Sequence, residues 1–224
     1  MKERLDRHTI AARVAKEFQD GDVVNLGIGM GTLAVNYVPE GRQVILHSEN
    51  GIFGYGEVLA EGEEELMDFN LVNAAGEFVS PLPGMSIGTF ADAFDAVRTG
   101  RVSISVLGAF EVSERGDLAN VSIEGGEKVA TIGGAMDIAL GVKKVIAAMS
   151  HTTNEGKPKI VKKCRLPLTA RECVDLIVTD IAVIEVTGNG LLLKEMAPRW
   201  TVEEIQALTE PGLIIAPALK EIEL

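Results

Sequence analysis

Residues 22–47 read as two short strands joined by a glycine turn and an abbreviated helix, and that arrangement leaves few folds open. Asp22 to Leu26 is an apolar strand, Gly27-Ile28-Gly29-Met30-Gly31 a tight turn, and Thr32 to Tyr37 a brief helical run ended by Pro39 and Gly41. Gln43 to His47 is the next strand. Strands joined through a helix run parallel, and parallel sheets carry helices on both faces. An amphipathic helix precedes the unit: Ile10, Val14 and Phe18 recur at i, i+4 and i+8 beside Ala11 and Ala15, with Gly21 as its stop.

The same alternation continues. Glu61 to Glu65 reads as a solvated loop, Phe90 to Val97 as a helix, and Val102 to Leu107 and Lys143 to Met149 as buried strands. Lys159 to Val161 is a short edge strand, and Leu176 to Val178 and Ile181 to Val186 follow. Gly188-Asn189-Gly190 turns a hairpin into Leu191-Leu192-Leu193, Val202 to Leu208 is a last helix, and Leu213 to Ala216 a last strand. Repeats, linkers and low-complexity blocks are missing from the sequence. The expectation is one α/β domain over residues 1–224: an open α/β/α arrangement with a twisted, mostly parallel mixed sheet between helix layers.

Composition narrows the function. With 46% hydrophobic residues in 224, such a chain buries about 70% of its unfolded surface and needs no disulfide or metal to fold. A formal net charge of −12 repels phosphate, which argues against nucleic-acid and anionic-membrane partners. Cys164 and Cys173 lack metal-ligand spacing, and His8, His47 and His151 are scattered, so no metal site is expected. No apolar run approaches the ~18 residues of a membrane span, and Met1-Lys2-Glu3-Arg4 lacks a signal-peptide stretch. The expected location is the cytoplasm. Against the acidic background, Lys143 to Arg165 is locally basic; it reads mainly as a solvated edge, and otherwise as an attractor for phosphates or an acidic partner face.

Two segments carry candidate chemistry. In the Gly27-Ile28-Gly29 turn, glycines permit a sharp corner that leaves N–H groups facing outward at a helix start, a seat for an anion or an oxyanion. In His47-Ser48-Glu49-Asn50-Gly51, a carboxylate follows a strand at its carboxyl end, where open α/β sheets place their ligand crevice. One alternative joins the two: Glu49 lies where a dinucleotide-binding fold puts its ribose-binding acid, which makes an NAD-binding protein using the Gly27 turn and Glu49 the second reading. Against it stand the short helix and Thr32 at the third glycine position.

The stretch Leu46-His47-Ser48-Glu49-Asn50-Gly51-Ile52-Phe53-Gly54 resembles the signature of family I CoA-transferases, in the B (beta) subunit of the 3-oxoacid or butyrate–acetoacetate type. The resemblance extends through Asn25 to Gly29, Pro83-Gly84, Leu118-Ala119-Asn120, Gly133-Gly134-Ala135-Met136-Asp137, Lys143 to Ile146 with His151, Pro167 to Ala170, and Thr209 to Gly212. It implies a twisted sheet between helix layers and an active site completed by an A (alpha) subunit in an α2β2 or larger assembly. Glu49 is then the nucleophile, supported by Ser48, Asn50 and Gly51. Backbone donors for the oxyanion map onto Gly27, Ile28, Gly29, Gly133 and Gly134.

The implied reaction transfers CoA from an acyl-CoA to a short-chain carboxylate such as acetoacetate, as in ketone-body or short-chain fatty acid metabolism. Coenzyme A is then a substrate, and no permanently bound cofactor is expected. Carboxylate and thiolate are already nucleophilic, so no general base is needed; the site must supply oxyanion donors and exclude water. Some residues depart from the family pattern. Gly31 stands where many relatives have proline, the region of Arg101 lacks a histidine, and Val121 replaces a tryptophan. These positions bear on the acid substrate rather than on the thioester chemistry.

Overall fold

A computed structural model of the chain describes residues 2–27, 29–60, 62–121 and 133–223. In chain order the first elements are α1 (Arg7–Ala15), β1 (Val23–Leu26), α2 (Met30–Leu33) running into a 3-10 turn (Ala34–Tyr37), β2 (Ile45–His47), β3 (Ile52–Phe53) and β4 (Ser86–Ile87). Next come α3 (Phe90–Arg98), β5 (Ile104–Leu107), β6 (Glu111–Ser113), β7 (Leu118–Ala119), α4 (Ala135–Gly141) and β8 (Lys144–Ala148). The chain closes with β9 (Ile160–Val161), β10 (Leu176–Val178), β11 (Ala182–Thr187), β12 (Gly190–Met196), α5 (Val202–Ala207) and β13 (Leu213–Glu221).

Among the described residues, ten strands form one sheet in the order β13-β12-β11-β10-β8-β5-β1-β2-β3-β4, and β7-β6-β9 form a small second sheet. The central run β10-β8-β5-β1-β2 is parallel throughout. Antiparallel pairs flank it on both sides, including the expected β11–β12 hairpin. The expected mixed, mostly parallel sheet between helix layers is therefore present.

Strand alternation decides which residues face which layer. On β8, Val145 and Ala147 point to the layer of α3, α4 and the small sheet, and Ile146 and Ala148 to the layer of α1. The α1 face packs Ile10, Ala11, Val14 and Ala15 against Val24, Ile104, Val106, Leu176 and Val178. The opposite face packs Phe94, Val97, Ile138 and Ile205 against Val145, Ala147 and Ile177. Asp6 starts α1 by accepting the Thr9 N–H at 2.7 Å, and Thr89 and Asp92 form a reciprocal capping box at the start of α3. A buried bidentate pair, Arg13 Nε and Nη2 to Glu195 at 2.6 and 2.9 Å, ties α1 to β12. Glu17 extends it to Lys144 at 2.7 Å.

Some boundaries differ from the sequence reading. The first helix ends at Ala15, not at Gly21; Phe18 lies beyond it and still packs fully buried in the α1-side core. The final strand runs to Glu221, because pairing with β12 extends it past Ala216. Elements α4, β6 and β7 had no sequence signal strong enough to be read.

Candidate active site

The parallel strands β1, β2, β5, β8 and β10 end in one cavity of about 820 Å³. Leu26 ends β1 and Gly27 follows it, Ser48 and Glu49 follow β2, and Leu107 ends β5 ahead of Gly108 to Phe110. Met149 and Ser150 follow β8, and Asp180 follows β10. Carboxyl-terminal strand ends are where open α/β sheets bind ligands.

Glu49 is set by a corner that only glycine closes. The Gly51 N–H donates to Ser48 O at 3.0 Å and the Ser48 N–H to Ile52 O at 2.9 Å. Gly51 has φ +109, and a Cβ there would collide with the Gly88 carbonyl, so both its backbone conformation and its surroundings exclude a side chain. The flanking residues hold a second loop. The Ser48 hydroxyl accepts the Ala74 N–H at 2.8 Å, and the Asn50 amide donates to Val72 O at 2.6 Å. That loop contributes Asn73, Ala74 and Ala75 to the cavity wall.

Below the corner, His47 is buried in a polar chain. Its Nε2–H donates to Ala93 O at 3.1 Å, and Nδ1 accepts from the Asn25 amide at 3.2 Å, a tautomer assigned from these partners. Asn25 Oδ1 in turn accepts from the Ser105 hydroxyl at 3.0 Å. Burial holds the His47 pKa below its ordinary value. The imidazole therefore ties the base of the Glu49 corner to α3 and carries no charge at neutral pH.

The Glu49 side chain reaches across to the start of α4. An alanine methyl at Gly134 would lie 2.6 Å from Glu49 Oε2 and would also strike the Phe94 ring. Gly134 is thus where the backbone must stay bare for the carboxylate to fit. Burial raises the Glu49 pKa above the usual carboxylate value, since partial desolvation disfavours the charged form.

The expected backbone donors are divided. Gly133 and Gly134 line the same cavity as Glu49, and among the described residues their N–H groups meet no acceptor, as befits a helix start. Gly27 also lines it, but its N–H donates to Val106 O at 2.8 Å. The reading of Gly27 as a donor is corrected: the sheet consumes that group. Gly27 is instead a close-packing residue, since a Cβ there would meet Val106 O at 2.8 Å. Gly29, at φ 103 and ψ −115, opens into an adjoining pocket with Arg7, His8 and Glu77. Ile28 lies outside the described residues. Helix α2 spans only Met30–Leu33, which does not favour a dinucleotide bound by the Gly27 turn and Glu49.

Sequence reasoning missed three neighbours. Phe94 packs on Gly134, Asn73 closes the wall, and Lys159, read as part of a solvated basic stretch, is only 9% exposed and lines the cavity. His151, fully buried, is structural: its Nε2 lies 2.9 Å from the Thr209 hydroxyl and its Nδ1 3.0 Å from the Thr179 hydroxyl. Cys164 and Cys173 are partly buried thiols with pKa values pushed up to about 12 and about 11 by desolvation. Among the described residues no His, Cys, Asp and Glu cluster could hold a metal ion, and no helix is long and apolar enough to cross a membrane.

Known proteins agree with this geometry. Residues 7–208 match the family described as Coenzyme A transferase. A probable coenzyme A transferase beta chain of Bacillus subtilis is 44% identical over 94% of this chain and 95% of its own length. The B chain of the 3-oxoadipate CoA-transferase of Acinetobacter baylyi is 42% identical over 95% of this chain and 97% of its own. The beta chain of an acetate CoA-transferase of Haemophilus influenzae is 43% identical over 97% of this chain and 96% of its own. In fold, the chain is similar to the acyl-CoA transferase YdiF of Escherichia coli O157:H7, with a TM-score of 0.74 at 20% identity; it is covered in full but spans only 44% of that longer chain. Strand-end cavity, motif corner and relatives converge: this chain belongs to the coenzyme A transferase family, as a beta-type chain of family I.

Proposed function

We propose that the chain is the catalytic half of a two-subunit enzyme that moves CoA from an acyl-CoA to a short-chain carboxylate through a covalent Glu49–CoA thioester. The observation that carries this reading is the Glu49 carboxylate itself: half-buried in a strand-end cavity, held by a glycine corner, and packed against the bare α-carbon of Gly134. The Glu49 carboxylate attacks the thioester carbonyl and expels CoA thiolate, leaving an acyl-glutamyl anhydride. The thiolate attacks the glutamyl carbonyl and expels the first acid, leaving Glu49 as its CoA thioester. An acceptor carboxylate attacks that thioester, thiolate departs and attacks the new acyl carbonyl, and the product acyl-CoA leaves with Glu49 regenerated. Each addition places charge on a carbonyl oxygen, for which the N–H groups of Gly133 and Gly134, without an acceptor among the described residues, are candidate donors in the cavity.

Desolvation raises the basicity of Glu49 and so strengthens it as a nucleophile, provided the pH keeps it ionised. Leu107 and Ile138 supply apolar surface in the cavity, which protects a hydrolysable thioester. The beta and B designations of the relatives support a partner alpha chain closing the cavity. A relative named for 3-oxoadipate and another for acetate leave the acid to be defined by experiment. The test is intact-mass and peptide mass spectrometry of the co-expressed alpha/beta complex after acyl-CoA treatment. A CoA adduct on Glu49, absent without acyl-CoA, is expected; an adduct on another residue, or full activity of this chain without a partner, overturns the proposal.

A further inference from the structure

A buried polar row crosses the middle of the parallel sheet. Asn25 on β1 is in register with His47 on β2 and with Ser105 on β5, and none of the three is more than 4% exposed. Their strand neighbours Val24, Ile104 and Val106 are apolar and face α1; the polar row faces α3. Hydrogen bonds run along it in one direction: the Ser105 hydroxyl to Asn25 Oδ1, the Asn25 amide to His47 Nδ1, and His47 Nε2–H to the Ala93 carbonyl on α3. An amide nitrogen only donates and a carbonyl only accepts, so the neutral imidazole satisfies both ends. Apolar side chains would fill the same positions without the cost of burying polar groups. Packing therefore gives no reason for a polar row here.

The row ends on the helix that also meets the nucleophile. The Gly88 N–H, just ahead of α3, donates to Gly51 O at 2.8 Å, so the Glu49 corner is tied to this helix twice, at Gly88 and at Ala93. Phe94, next to Ala93 and 3% exposed, packs on the α-carbon of Gly134, the same spot that Glu49 Oε2 approaches. One turn on, Arg98 pairs with Asp137 of α4 at 3.0 Å. These contacts close a circuit: from His47 through Ala93 and Phe94 to Gly134, across to the Glu49 carboxylate, and back along the chain to His47. We propose that His47 is a positioning residue for Glu49: by holding α3, it sets the spacing between the carboxylate and the N–H groups at the start of α4. The inference rests on the transferase reading and adds the residue that aims its nucleophile. The His47 ring is no part of the cavity wall, so it acts through the helix and not on the substrate.

Two substitutions separate the two bonds of the imidazole. His47→Gln keeps a donor for Ala93 O and an acceptor for Asn25, whereas His47→Asn keeps the acceptor but is too short to reach Ala93. In the assembled alpha/beta complex, with acetyl-CoA or acetoacetyl-CoA as donor, His47→Asn should lower kcat by about 10- to 100-fold, the range for a displacement of up to ~1 Å, and leave KM within about threefold of wild type. His47→Gln should restore most of the rate. Phe94→Leu leaves the row intact and loosens the circuit at Gly134, so it should show the same split; it decides the proposal if His47→Asn does not assemble on gel filtration. A merely structural role would lower the melting temperature and leave kcat alone. An unchanged kcat in assembled His47→Asn or Phe94→Leu, a change confined to KM, or equal losses in His47→Asn and His47→Gln overturns the proposal. If the wild type forms no CoA adduct on Glu49, the transferase reading falls. Carbodiimide labelling of Glu49, read by peptide mass spectrometry, then decides the positioning: a rate altered in His47→Asn and returned in His47→Gln upholds it, and equal rates in all three proteins overturn it.

Discussion

The Glu49 carboxylate and the α-carbon of Gly134 are so close that a methyl group on residue 134 would sit 2.6 Å from Oε2. Gly134 has φ −84 and ψ 1, a conformation that alanine adopts without strain. Gly134→Ala is therefore free of backbone strain, but its methyl must displace both the buried Phe94 ring and the carboxylate; a carboxylate misplaced by about 1 Å costs roughly 10²-fold in rate. Single-turnover formation of the CoA adduct measures the loss. A rate within threefold of wild type would show that the carboxylate has somewhere else to work from.

Replacing the nucleophile separates chemistry from stability. Glu49→Gln should abolish transfer, because an amide cannot form the anhydride. It should also raise the melting temperature at pH 7 by a few degrees at most, given about 2–4 °C per kcal/mol for a chain this size. The sign follows from the raised Glu49 pKa: a carboxyl that ionises less readily when folded costs stability above that pKa and none well below it. The difference between variant and wild type should shrink as pH falls towards 4. A lower melting temperature for Glu49→Gln at pH 7 would contradict it.

The same shift fixes the acid limb of the rate. Only the ionised carboxylate attacks, so kcat/KM for the acyl-CoA should rise with pH and level off, with an apparent pKa above the ordinary 4.5 of a glutamate. Stopped-time assays between pH 4 and 8 locate the limb. An apparent pKa at or below the ordinary value would mean that Glu49 is solvated in the working enzyme.

His151 governs stability towards acid. Burial depresses its pKa to about 4, so the unfolded chain takes up a proton near its ordinary 6.5 while the folded chain does not. The contribution is intact above that value and is lost as pH falls from 6.5 to about 4, by at most about 1.4 kcal/mol per pH unit. Urea denaturation at pH 7, 6 and 5 should show that slope in wild type and a shallower one in His151→Gln. Equal slopes in the two proteins would place the acid sensitivity elsewhere.

The sequence was most legible where a pattern is local. The strand, glycine turn and short helix around Gly27 have their own periodicity, and β5, β8 and β10 are apolar runs long enough to recognise. Glu49 stood out through its neighbours Ser48, Asn50 and Gly51, each of which makes a backbone contact that fixes the corner. What escaped notice depends on distant chain. Helix α4 buries only Ile138 and Ala139 and leaves Met136 and Leu140 exposed, so it shows no clean amphipathic stripe. The loss of the Gly27 donor follows from pairing with β5, and the burial of Lys159 from backbone bonds to His151 and Val112. No window along the sequence contains those partners.

Helix α1 has a consequence for biosynthesis. Its buried Arg13 pairs with Glu195, and the segment ahead of it ties Arg4 to Asp180 and the Glu3 carbonyl to the Trp200 indole N–H. Helix α1 therefore leaves the ribosome well before its charge partner on β12 and part of its apolar seat have been made. At about 5–20 residues per second, it waits roughly 10–40 s with Arg13 paired only to its near neighbour Glu17. Nascent chains stalled before β12 should hold this helix undocked, a natural client for a ribosome-bound chaperone.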